Sequence, residues 1–113
     1  MKKSNSIYLK HILTSIDKIE LYTKNISEGE FFNKSLIQDG VIRQLEIIGE
    51  AVKNISKDLK YEHFEISWQD IAGMRDKLIH HYFGVDIGLV WVTIQNDIPI
   101  IKSKIKEILK NLK

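Results

Sequence analysis

A chain of 113 residues with 43% hydrophobic content can bury one modest core, so a single domain over residues 1–113 is expected and a second is excluded. Cysteine is absent, which rules out a disulfide framework and any thiolate metal site and fits a cytoplasmic setting. The net charge of +2 is too small to announce a nucleic-acid binder by itself. No stretch reaches the length of a membrane-spanning helix, and the residues after Met1-Lys2-Lys3 lack the apolar run of a signal peptide.

One proline, six glycines and long apolar series at 3–4 spacing predict helices throughout, with no competing strand pattern. The first helix is expected over Ser6–Asn25, where Leu9, Ile12, Ile16, Ile19 and Ile26 form one stripe and Thr23 fills the missing place. Ser27-Glu28-Gly29-Glu30 breaks the period, and Phe31-Phe32 is placed as a plug at the end of a bundle. A central helix follows over Ser35–Ile55, its wide stripe made of Leu36, Ile37, Val41, Leu45, Ile48, Ala51, Val52 and Ile55. Asp39, Arg43, Glu46 and Glu50 collect on its other side. Either they form exposed helix ion pairs, or one carboxylate holds a functional cation such as Arg75.

Residues 56–66 read as polar and irregular. Ser67 and Asp70 then spell a capping box, with Ile66 and Ile71 as a hydrophobic staple, so a helix should start near Trp68 and run to Phe83, ended by Gly84 as a left-handed cap. Asp86 is a candidate N-cap for the last helix. There Trp91, Ile94, Ile98, Ile101, Ile105, Ile108 and Leu112 form a heptad seam that Pro99 should kink. Lys102, Lys104, Lys106, Lys110 and Lys113 against a single Glu107 make either a solvated face or a phosphate-attracting edge. Asn25, Asn33 and Asn54 begin Asn-x-Ser triplets that carry no meaning without secretion.

On a helical wheel of about 100° per residue, Ile71, Ala72, Leu78, Ile79, Tyr82 and Phe83 fall around Arg75, which puts a guanidinium within an apolar stripe. A buried charge is costly unless paired, so Arg75 is expected either to meet Asp39, Glu46 or Glu50 or to serve chemistry. Asp76 and His80 stand at i,i+4 on a flank of that stripe, where the carboxylate could orient the imidazole for proton transfer, and Tyr82 lies seven residues beyond Arg75. A planar cation matched to phosphate and an oriented histidine are the minimum for phosphodiester cleavage without a metal. His63 and His80-His81 match no zinc spacing, and there is neither a glycine-rich phosphate loop nor a G-x-S-x-G elbow. No cofactor is expected.

Arg75, His80 and Tyr82 match an R-x4-H-x-Y signature, and with it the chain resembles the HepT-like proteins of the HEPN superfamily. Asp76 matches the polar residue that follows the arginine there, and the stretches 43–51 and 82–86, with Trp91 beyond, also resemble family blocks. The resemblance implies an all-α, up-and-down bundle of four to five helices, HEPN-like, that forms a homodimer with the two signature helices at a shared cleft. It implies a ribonuclease toxin with Arg75, His80 and Asp76 as catalytic residues, RNA as substrate, and an MNT-type nucleotidyltransferase antitoxin that adds AMP to Tyr82. The competing expectation is a non-catalytic helical module that serves as a binding subunit for the nucleotidyltransferase.

Overall fold

The computed structural model describes residues 4–80 and 84–112, with only the backbone of Ile79 and His80. The described chain is an all-α bundle: α1 (Asn5–Tyr22), α2 (Glu28–Phe32), α3 (Ser35–Lys53), α4 (Lys57–Glu62), α5 (Trp68–Ala72) and α6 (Met74–Leu78) come first. Two paired two-residue strands, β1 (Ile79–His80) and β2 (Gly84–Val85), interrupt the helices before α7 (Ile87–Val92), a π-helical turn (Thr93–Asp97) and α8 (Ile98–Asn111). No described helix is long and apolar enough to cross a membrane.

The bundle is held by the apolar stripes of its long helices. Leu9, Ile12, Ile16 and Ile19 of α1 are wholly buried, as are Val41 and Ile48 of α3, and Ile98, Ile105 and Ile108 of α8 close the third side. Burying each such side chain contributes roughly 1.5–3 kcal/mol before the entropy of ordering it is counted. α1 and α3 run antiparallel, as their ends show. Tyr22 at the close of α1 lies against Gly40 near the start of α3, while Asn5 at the opening of α1 is bonded to Ser56 just past the end of α3. Asn5 Oδ1 accepts from the Ser56 backbone N–H at 2.9 Å, and Asn5 Nδ2 donates to Ser56 Oγ at 3.0 Å. At the bundle's end, Phe31 is fully buried and stacks at a tilt on Trp91 with ring centroids 5.2 Å apart, whereas its neighbour Phe32 faces solvent.

Several local expectations are corrected. The break at 27–30 is a helix: Ser27 Oγ accepts from the Glu30 backbone N–H, and Glu30 Oε1 accepts from the Ser27 N–H, a complete capping box that opens α2. Those bonds hold the Glu30 carboxyl below the usual carboxylate range, the backbone donor of Ser27 first. The expected box at Ser67 is absent, although α5 does begin at Trp68. The polar stretch after Asn54 contains α4, capped by Ser56 Oγ and anchored by buried Leu59. Asn33 and Asn54 end α2 and α3 by donating from Nδ2 to the carbonyls of Gly29 and Glu50, and Asn25 takes a left-handed φ of 61° after α1. Those asparagines therefore have helix-ending work.

The last helical stretch carries the expected seam from Ile94 to Ile108, with Trp91 half-buried and Leu112 exposed past the end of α8, and the expected Asp86 cap, whose Oδ1 accepts from the Leu89 N–H at 3.0 Å. Pro99 stands in the first turn of α8, and the disturbance it demands takes the form of the π-helical turn immediately before it. Lys102 leaves the solvated face and joins α8 to α1, with Nζ donating to Glu20 at 2.7 Å and lying 3.8 Å from Asp17. The largest correction concerns the expected helix to Phe83. The run slackens at Gly73 and stops at Leu78, where Ile79 and His80 turn extended and pair with Gly84 and Val85. Two causes act together: glycine weakens the helix midway, and the β-branched and aromatic residues after Leu78 lose side-chain freedom in a helix. Gly84 does adopt a left-handed φ of 79°, but within β2 instead of at a helix end.

Candidate active site

The signature arginine is positioned by a close approach of backbone to backbone. Gly49, inside α3, lies against the last turn of α5, and a methyl group there would meet the Ala72 carbonyl oxygen at 3.1 Å. Without a side chain at 49, the start of α6 comes down beside α3, three residues beyond Ala72, and sets Arg75 next to Glu46. Arg75 Nε donates to Glu46 Oε2 at 2.6 Å, and Arg75 Nη1 contacts Asp76 Oδ1 more loosely at 3.5 Å. The hydrogen bond to Glu46, followed by its charge, raises Arg75 above the usual arginine value, so the cation persists at any pH the fold survives.

Arg75 is therefore no buried charge. Its side chain is 50% exposed, because the break at Gly73 and the stop at Leu78 remove the long wheel that had put it among apolar neighbours. The apolar face of this short run is instead Ile71, Met74 and Leu78, and Asp76 and Lys77 point to solvent. Of the three carboxylates weighed as partners, Glu46 takes the role. Glu50 pairs with Lys53 at 3.4 Å, and Asp39 is exposed, two helical turns before Glu46. The expected pairing of Arg43 with Asp39 or Glu46 is also corrected, since Arg43 enters no ion pair among the described residues.

The backbone of His80 follows a different path from the expected one. Its backbone lies in β1 opposite Gly84, and the turn is tied at its base by the Asp86 N–H donating to the Leu78 carbonyl at 2.9 Å. Asp76 and His80 are consequently not on one helix, so the i,i+4 geometry expected for them does not hold, and the Asp76 carboxylate is placed on Arg75. Tyr82 lies outside the described residues.

A groove of about 480 Å³ runs past Arg75 and Glu46 between α1 and α3, and Tyr8, His11, Arg43 and Glu50 also line it. Arg75 enters it held at Nε by Glu46 and, more loosely, at Nη1 by Asp76, which leaves Nη2 without a partner among the described residues. The N–H groups of Nη2 remain available to a phosphate. A second, more apolar cleft of about 340 Å³ lies between α5–α6 and the last helix, beside Met74 and Leu78, and among the described residues none of the expected site residues lines it. Sequence reasoning missed Tyr8, His11 and Gly49. Only Gly49 left a signal, as a lone glycine within a buried helical stripe.

Comparison with known proteins now bears on this geometry. Residues 12–108 match the family described as Ribonuclease HepT-like. The chain is 48% identical over 110 residues to a protein of Thermococcus cleftensis named "Probable ribonuclease HepT", covering 97% of this chain and 100% of that one. It is also 48% identical over 112 residues to "Gamma-glutamylcyclotransferase and putative RNase" of Methanocaldococcus jannaschii, covering 99% of this chain and spanning half the length of that relative. No solved structure matches. A family match over residues 12–108 and near-complete coverage of a relative at 48% identity place the site in context: the chain belongs to the HepT-like ribonuclease family.

Proposed function

We propose that this chain is the toxin of a toxin–antitoxin pair, an RNA endonuclease that works without a metal ion. The observation that carries the proposal is Arg75, fixed by Glu46 through Nε with its side chain half-exposed, four residues before the strand that opens at Ile79 and bears His80. In the reaction the ribose 2'-oxygen forms a bond to the adjacent phosphorus and the bond from phosphorus to the 5'-oxygen breaks. His80 moves the proton from the attacking 2'-oxygen to the departing 5'-oxygen, and Arg75 stabilises the charge that develops on the phosphoryl oxygens. The products are a 2',3'-cyclic phosphate and a 5'-hydroxyl.

Asp76, adjoining the cation, tunes it and keeps its approach polar. Two copies bring their Arg75 edges to one cleft, which makes the active site composite. A nucleotidyltransferase antitoxin silences the enzyme by adding AMP to Tyr82, a bulky group whose negative charge opposes an RNA phosphate.

Cleavage of RNA in divalent-free buffer tests the core of this reading. Wild type should cut, and Arg75→Ala and His80→Ala should not; full activity in either variant overturns the assigned roles. Intact-mass measurement after coexpression with a nucleotidyltransferase should show one added AMP that disappears in Tyr82→Phe.

A further inference from the structure

The cleavage chemistry uses one end of the groove between α1 and α3 and leaves the rest without a task. Tyr8 and His11 stand one turn apart on α1, their rings meeting edge to face with centroids 6.2 Å apart, and both line the groove. Facing them is Arg43, exposed and without an ion-pair partner among the described residues, one turn before Glu46 on α3. Residues at i,i+3 on a helix have β-carbons about 5–6 Å apart, so Arg43 stands roughly one nucleotide step from the carboxylate that holds Arg75. The two carboxylates in the groove are both engaged, Glu46 by Arg75 and Glu50 by Lys53. What remains is an aromatic ring, an imidazole and a guanidinium beside the reactive cation, the combination by which proteins hold single-stranded RNA.

We infer that this groove is a nucleotide subsite, in which the base flanking the scissile phosphate stacks on Tyr8 and the next phosphate is gripped by Arg43, with His11 ordering the Tyr8 ring and contacting the same strand. The inference rests on the RNA-cleaving reading of Arg75 and extends it to substrate hold. It assigns Tyr8 and Arg43 to binding and leaves proton transfer to His80.

Binding of a fluorescent ten-nucleotide single-stranded RNA to the full chain carrying His80→Ala separates the two readings, because no cleavage is needed. Tyr8→Leu should weaken binding about 5- to 100-fold, the range for losing one stacked base, and Tyr8→Phe should keep it. Arg43→Gln, at an exposed position, should weaken binding and lower the slope of log affinity against log salt by about 0.7, one phosphate contact for a single strand. Lys106→Gln, on the solvent side of α8, serves as the control and should change affinity little. Unchanged affinity in both Tyr8→Leu and Arg43→Gln overturns the subsite, as does failure of the His80→Ala protein to bind RNA at all. If RNA is bound with these losses but wild type leaves it uncut, the subsite stands and the cleavage reading falls.

Discussion

The bundle formed by α1, α3 and α8 and the short run from α5 to β2 follow opposite rules. In the bundle, long helices repeat isoleucine and leucine at helical spacing, and their inward positions are sealed from water. From residue 68 to 85 the elements are two to five residues long, a glycine interrupts the helix, and Arg75, Asp76 and Lys77 face solvent. One region stores stability in apolar area. The other is held at a few fixed points: Gly49 against Ala72, Glu46 on Arg75, and the Asp86 to Leu78 hydrogen bond. The exposed edge of Arg75 is thus displayed by elements too short to stand alone, on a bundle that supplies the carboxylate holding it in place.

Substitutions can break or sharpen that division. The largest effect should come from Arg75→Ala, a loss of about 10³-fold in RNA cleavage with the melting temperature close to wild type, since a half-exposed ion pair adds little to stability. Cleavage kinetics and thermal denaturation on one preparation decide it, and a large drop in melting temperature would erase the distinction. Phe31→Ala should do the reverse, destabilising by about 3–5 kcal/mol in urea unfolding while the folded fraction keeps its specific activity.

Gly49→Ala should fall between them. The added methyl improves helix propensity by about 1 kcal/mol but forces the Ala72 carbonyl back by a few tenths of an ångström. Stability should therefore hold while cleavage drops about tenfold, given how steeply rates depend on placement. The smallest effect belongs to the α2 cap. Ser27→Ala should cost about 1 kcal/mol with no change in activity. Glu30→Gln should cost less and only in one pH window. Because the folded carboxyl is held below its ordinary value of 4.5, its contribution is present above that pH and is lost as pH falls through the lower folded value. A gap from wild type that is undiminished in acid would break this assignment.

The long helices were legible because burial writes a period into the sequence, and the stripe of α1 survives into the structure intact apart from Ile26, which falls beyond the helix. In α3 Leu36 is misread, 85% exposed in the first turn before the helix meets its neighbours, and Ile55, though buried, falls beyond the helix end at Lys53. Helix ends were harder. Ser27 and Ser67 both precede an acid by three residues, yet only Ser27 caps. Its extended backbone, at ψ 168°, suits the role, whereas Ser67 sits at ψ 69°, and glutamate reaches back where the shorter Asp70 has no such bond.

The candidate site was half legible. Arg75 and a partner carboxylate could be named from charge and spacing. A wheel continued past Leu78 assumed a helix that tertiary pairing with Gly84 and Val85 replaces, and it misplaced Arg75 in the core. Tyr8 and His11 carry no local sign of Arg75, because more than sixty residues separate them and only the antiparallel return of α3 along α1 brings them into one groove.

The bare α-hydrogen at Gly49 also makes the molecule a measuring instrument. Alanine, serine and valine at that position would act as spacers of rising size between α3 and α5, shifting the turn that carries Arg75 while Arg75 and Glu46 themselves stay chemically unchanged. Plotting rate against spacer size would calibrate how far a phosphate-binding cation can be displaced before catalysis fails, and drift at this one site could retune the enzyme without altering its signature.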